Sequence, residues 1–180
     1  YKARGQETQA YKCYQSAFKQ FQKVNQKNPD DKLQYRIGYM LYNGMGVEKS
    51  IIKAEKMLLL SAEANNKYAK ILLAKIYIEL EEPEKQITGI NILEKLSESD
   101  PDDKIYYQLG KIYLDPSYGH VDIEKGMKYL EASAEQGNEY AQYRIGKIYL
   151  DPSYGHVDIE KGMKYLEASA EQGNEYAQYR

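Results

Sequence analysis

Apolar residues along this chain fall three and four apart, the spacing of one helical face, and short runs rich in Gly, Pro, Asp and Asn interrupt them at regular intervals. The stretch from Gly110 to Arg144 recurs letter for letter from Gly146 to Arg180, a period of 146 minus 110, or 36 residues. The same period runs back through unlike sequence. Gly146, Gly110, Ala74 and Gly38 form a column of small residues, suited to a close approach of two helices. Beside it Ile145, Leu109, Leu73 and Ile37 share a column, as do Ile148, Ile112, Ile76 and Met40, and then Tyr149, Tyr113, Tyr77 and Leu41. NPDDK at 28–32 returns as DPDDK at 100–104, two periods on, so the register is expected to hold without a slip.

Each period predicts two helices, a first (A) and a second (B). In the third, helix A is expected from Asp102 to Leu114, with Asp100 as its cap, Pro101 in the first turn, and Asp102 and Asp103 near the positive helix end. DPSYG at 115–119 breaks it, because Pro116 lacks a backbone donor and Gly119 admits left-handed geometry. Helix B then runs from an Asp122 cap through Ile123, Met127, Leu130 and Ala134 to Gly137, and Asn138 caps the next helix A. Further B helices are expected at 50–64, 83–97 and 158–172. An opening B-like helix is expected at 8–26, with Phe21 in the column of Met57, Leu93, Tyr129 and Tyr165. The chain therefore reads as all-α, a solenoid of stacked helical hairpins: an opening half repeat at 1–28, repeats at 29–64, 65–100, 101–136 and 137–172, and the start of a fifth at 173–180.

Several residues carry a family likeness. Ala141, Gly146, Tyr149, Lys161, Gly162, the run Ala170 to Asn174, and Ala177 together resemble the Sel-one-like repeat family, a relative of the tetratricopeptide repeats. YNGMGVEKS at 42–50 is similar to that family's glycine loop through Gly44, Gly46 and Val47. The second repeat lacks those glycines at Leu80 and Glu82, and the duplicated repeats carry DPSYGHVD instead, so a different loop conformation is expected there. The resemblance implies a right-handed superhelix whose A helices line a concave groove for partner proteins, with no shared catalytic machinery or cofactor. GNEYAQYRIGKIYL is also similar to tyrosine-rich repeats that follow the nicking domain of some relaxases. That likeness leaves open an accessory region of a larger enzyme, or a rigid spacer.

Charge narrows the partners. A net charge of -2 argues against a nucleic-acid or anionic-membrane surface. The mean hydropathy of -0.77, beside 42% apolar residues rich in Tyr, fits a thin core. The single Cys13 forms no internal disulfide, and no apolar run is long enough to span a bilayer or act as a signal, which favours the cytoplasm. Beginning at Tyr1 and stopping inside a repeat, the chain reads as a piece of a longer protein, and an uncapped last helix leaves an edge for self-association. Cys13 is expected to be a buried or half-buried thiol. His120 and His156 are one residue copied once, read as structural or surface histidines rather than metal ligands.

A binding stripe remains. On helix A, positions 32, 35, 39 and 42 are three, four and three apart and share one face, turned away from the core columns. Its rows are Lys32, Tyr35, Tyr39, Tyr42; Tyr68, Ile71, Lys75, Ile78; Lys104, Tyr107, Lys111, Leu114; and Tyr140, Tyr143, Lys147, Leu150. Tyr offers rigid contact area and Lys charge, so the expected ligand is a protein or peptide segment of acidic character. The competing expectation is that these tyrosines pack sideways on the next repeat.

Overall fold

A computed structural model describes residues 2–80, 82–155 and 157–178, with side chains from residue 9 onward. Among these residues there are helices and turns and no strand. The helices are α1 (Lys2–Lys27), α2 (Asp31–Asn43), α3 (Ile51–Glu63), α4 (Lys67–Glu79), α5 (Pro83–Ser99), α6 (Asp103–Leu114), α7 (Ile123–Glu135), α8 (Glu139–Leu150), α9 (Ile159–Glu171) and α10 (Glu175–Gln178). The chain divides inside α5 into two units, Tyr1–Ile92 and Leu93–Arg180. In the first, α2 packs on α1 and α3, and α3 on α4; in the second, α7 packs on α6 and α8, and α9 on α8 and α10.

The helix starts explain the phase. Asp30, Asn66, Asp102, Asn138 and Asn174 recur at the period, and each side chain accepts a backbone N–H from the first turn of a helix A, as Asn138 does from Ala141 at 2.9 Å. The cap of α6 is thus Asp102 rather than Asp100: its extended backbone lets the carboxylate reach the Lys104 N–H at 3.0 Å, and Pro101 lies outside the helix. Ser50, Asp122 and Asp158 cap the B helices in the same way. The three apolar columns are buried throughout, from Ile37 and Met40 to Ile145 and Ile148. Each fully buried Leu or Ile there contributes roughly 1.5–3 kcal/mol.

Small residues bring A and B together. A Cβ on Gly110 would come within 3.1 Å of the Gly126 carbonyl, and one on Gly146 within 2.9 Å of the Gly162 carbonyl. These partners are sixteen apart (126 minus 110), as are Gly38 and Ala54, whereas in the second repeat Ala74 meets Gly89, fifteen apart (89 minus 74). α5 is accordingly offset by one residue. Leu93 is buried, and Glu94, in the sequence column of Leu58, Leu130 and Leu166, is only half-buried. The expected unbroken register therefore fails in α5, and Leu93 takes the place of Leu58 rather than Met57. The connection into α5 is three residues, 80–82, against seven, 44–50, into α3, so α5 enters out of phase, and Pro101 marks its other end. The Pro101 column holds Asn65, Gly137 and Gly173 at φ 65°, 90° and 95°, and proline cannot enter that region, so the turn after α5 takes another path.

Two loop designs join A to B in the first, third and fourth repeats. In the first unit Gly44 and Gly46 both take positive φ, while the DPSYG loops make a short 3-10 turn ending at Gly119 or Gly155. Both designs close on the same bond, the B-helix cap donating its N–H to a carbonyl nine residues earlier: Ser50 to Leu41, Asp122 to Tyr113 and Asp158 to Tyr149, each 2.9 Å. α1 starts earlier than the spacing predicts and packs through Phe18, which leaves Cys13 exposed on another face, contrary to expectation.

Candidate functional site

In the second unit the Tyr and Lys stripe is assembled from α6, α8 and α10. Tyr107 lies beside Tyr140 with ring centres 6.3 Å apart, and Tyr143 beside Tyr176 at 5.9 Å, both pairs tilted. Each pair is 33 residues apart (140 minus 107, 176 minus 143), because the first turn of one A helix comes alongside the second turn of the preceding one. The lysine one helical turn on covers its own ring: Lys111 sits 5.6 Å from the Tyr107 centroid and Lys147 5.5 Å from that of Tyr143. Tyr140 is 50% exposed and Tyr176 67%. Lateral packing of the rings and an open ring face thus coexist.

These tyrosines, with Arg144, Lys147 and Tyr154, border an open depression of about 820 Å³. Its one lining carboxylate, Asp151, is already held by the Ser153 N–H at 2.9 Å, which keeps its carboxyl below the usual range. Among the described residues neither Lys111 nor Lys147 has a carboxylate at ion-pair distance. Lys104 is exposed at the start of α6. Leu114 and Leu150 are half-buried, since each leans on the B-helix glycine opposite, Gly126 or Gly162. Ile78, on Gly89, is buried and does not belong to the exposed stripe.

The first unit carries a different version. Tyr35 stands between Tyr39 at 6.1 Å and Tyr68 at 6.0 Å, and Ile71 is half-buried. Lys75 lies 5.6 Å from the Tyr42 ring, but Glu79 pairs with it at 3.8 Å and also accepts the Tyr42 hydroxyl at 2.6 Å. Burial, then that hydrogen bond, pushes the Tyr42 hydroxyl up to about 12. The cation here is already balanced.

Away from the stripe, a Glu, Tyr and Lys cluster ties successive repeats within each unit. Glu94 accepts from the Tyr113 hydroxyl and pairs with Lys125, which also lies over the Tyr113 ring at 4.5 Å; Glu131, Tyr149 and Lys161 repeat the arrangement. Glu55, Tyr77 and Lys85 are the counterpart in the first unit. Burial alone would raise the Glu94 carboxyl, but hydrogen bonds from Lys125 and Tyr113 outweigh it and hold it below the usual value. A depressed folded pKa stabilises above the unfolded pKa of about 4.3 and loses that contribution as pH falls through the folded value. Glu94→Gln is therefore expected to flatten the acid limb of a stability-versus-pH curve followed by circular dichroism, with its largest loss of stability near neutrality. Buried serines add a second tie: Ser61, Ser133 and Ser169 donate to the carbonyls of Asp31, Asp103 and Glu139 at 2.6–2.7 Å, joining the two ends of one hairpin.

His120 is half-buried in its loop, and His156 lies outside the described residues. No helix among the described residues is long and apolar enough to cross a membrane.

The Sel1 repeat model matches residues 4–20, 32–66, 106–138 and 139–174. The chain belongs to the Sel1 repeat family. The match leaves out 67–105, which holds α4 and the offset α5. Among solved structures, the chain is similar to c5321, a protective antigen present in uropathogenic Escherichia coli strains displaying an SLR fold, at 26% identity and a TM-score of 0.73 over 92% of this chain and 35% of that one. It is also similar to a Sel1 repeat protein from Oxalobacter formigenes, at 26% identity and a TM-score of 0.71 over 91% and 66%. The immunity protein Pa5087 from Pseudomonas aeruginosa shares the fold at 19% identity and a TM-score of 0.53, over 91% and 60%. A comparison with curated proteins found no match. The chain spans about a third of c5321 and about two thirds of the Oxalobacter protein. Its fold is the Sel1 helical-repeat solenoid, and Sel1 repeat proteins are in general protein-interaction scaffolds.

Tyr176, Arg144 and Tyr154 were not among the residues expected at the site. Tyr176 carried a signal, being Tyr140 one period later. Arg144 and Tyr154 join only through the stacking of α8 on α10 and the 3-10 turn after α8.

Proposed function

We propose that this Sel1 array is a non-catalytic scaffold that holds an acidic segment of a partner protein on the A-helix stripe, chiefly in the second unit. The carrying observation is the depression bordered by Tyr107, Tyr140, Tyr143 and Tyr176, beside which lysines cover ring faces with no carboxylate at ion-pair distance among the described residues. Stiff rings held by their neighbours lose little freedom on binding, so contact area converts efficiently to affinity. The cations then select an acidic segment over a neutral one. In the first unit, Tyr35, Tyr39, Tyr42, Tyr68, Ile71 and Lys75 add contact area, with less charge because Glu79 engages Lys75.

The test is capture and cross-linking of the bound partner with the protein immobilised. Joint replacement Tyr107→Ser, Tyr143→Ser and Lys147→Glu is expected to remove the cross-linked partner while helicity is unchanged. Equal recovery by the variant would place the contact elsewhere.

A further inference from the structure

α3 turns an apolar stripe to solvent that α7 and α9 lack. Ile52 is 82% exposed, Leu60 41% and Leu59 39%. With Glu55, Lys56 and Glu63 they border a shallow depression of about 370 Å³. Ile52, Lys56, Leu59 and Glu63 are four, three and four apart, so they lie along one strip of the helix. In the same columns α7 has Glu124, Lys128, Glu131 and Glu135, and α9 has Glu160, Lys164, Glu167 and Glu171. The lysine and the last glutamate are kept in all three helices, and only the apolar pair changes. A B helix in this fold therefore has no need of Ile and Leu at those positions. Glu131 makes the bonds to Tyr149 and Lys161, and Leu59, in its column, can make none of them.

We propose that this stripe is the contact face of a symmetric dimer, in which α3 packs antiparallel on α3 of a second copy. A twofold contact uses one patch twice, so the patch must complement itself. Leu59 sits between Lys56, three residues before, and Glu63, four after, about 4.5 and 6 Å along the axis at ~1.5 Å per residue. An antiparallel copy reverses that order. Each Lys56 then meets the partner's Glu63, on both sides of a leucine centre. Equivalent pairing through α7 or α9 would set Glu131 or Glu167 against itself, so the charge pattern singles out α3.

Sedimentation velocity of the chain over a wide concentration range tests this, with circular dichroism as the folding control. Wild type is expected to show a monomer–dimer equilibrium. The double change Leu59→Glu and Leu60→Ala copies residues that α7 carries in the same columns, so helicity should persist while the dissociation constant rises roughly a hundredfold, each change occurring twice per dimer. Lys56→Glu alone should weaken the dimer, and adding Glu63→Lys should restore it. A monomer at every concentration would overturn the proposal, as would a dimer that Glu63→Lys fails to rescue. So would an open series of larger species unmoved by the α3 changes, which would place association at the ends of the array.

Discussion

Replacing Gly46 by alanine is expected to release α1 from the first unit while α2 to α4 stay helical. Gly46 is buried at φ 66°, and a Cβ there would lie 2.2 Å from the Gln15 nitrogen and 2.3 Å from the Tyr14 carbonyl carbon. Both are backbone atoms of α1, so no rotamer change relieves the overlap, and the helix as a whole has to move. Moving it uncovers Phe18, which is buried on Ile37, Met40 and Leu41. Gly119 supplies the control, since it has a similar φ of 69° with nothing within 4 Å of its Cβ position. Gly119→Ala should lose only the left-handed preference, about 1–2 kcal/mol. Gly46→Ala should lose on the order of 3–5 kcal/mol. Thermal melts together with limited proteolysis across α1 read both effects; wild-type protection of α1 in Gly46→Ala would contradict the packing described.

The second large effect is expected at the stripe, and it should be unequal between the units. Tyr107→Ser with Tyr143→Ser and Lys147→Glu removes two braced rings and reverses a charge that, among the described residues, has no carboxylate at ion-pair distance. Aromatic anchors at such sites contribute about 2 kcal/mol or more each, so affinity for an acidic ligand should fall at least roughly a hundredfold. The corresponding change in the first unit, Tyr35→Ser with Tyr68→Ser and Lys75→Glu, should cost less. There Lys75 is already engaged by Glu79, and Glu79 also holds the Tyr42 hydroxyl. Lys49, which also lies over the Tyr42 ring at 5.4 Å, leaves the first unit a share of the charge, so its loss should be smaller rather than nil.

Much of the fold was legible in the sequence because the A helices keep strict phase. A column such as Ile37, Leu73, Leu109 and Ile145 needs only a helical period and a core-facing position to be read. Asn138 and Asp122 were legible as caps for the same local reason. Asp102 was not, because the DPDDK run offers several acidic residues, and only the backbone path of Pro101 decides among them. The one-residue offset of α5 escaped because the letters at 89–97 also align acceptably at the unshifted period. It takes the left-handed geometry at Asn65, Gly137 and Gly173 to show that Pro101 cannot follow. For the site, the stripe followed from three-and-four spacing, and the structure brings its rings together in pairs. Arg144, Tyr154 and the Glu, Tyr and Lys clusters depend on which helix stacks on which, and spacing within one helix does not encode that. The serine column was visible in outline: Ser61, Ser97, Ser133 and Ser169 recur at the period, a polar residue in a place that is otherwise apolar. Ser97 bonds within its own helix to the Glu94 carbonyl, as the offset of α5 requires.

The most direct measurement is selection of binders from a random-sequence peptide library displayed on phage, followed by titration of the enriched peptides against wild type and both triple variants. Enrichment of Asp and Glu is predicted, with binding lost in the Tyr107, Tyr143 and Lys147 variant and largely kept in the Tyr35, Tyr68 and Lys75 variant. Neutral or basic peptides that bind all three proteins equally would contradict a binding site on the tyrosine and lysine stripe.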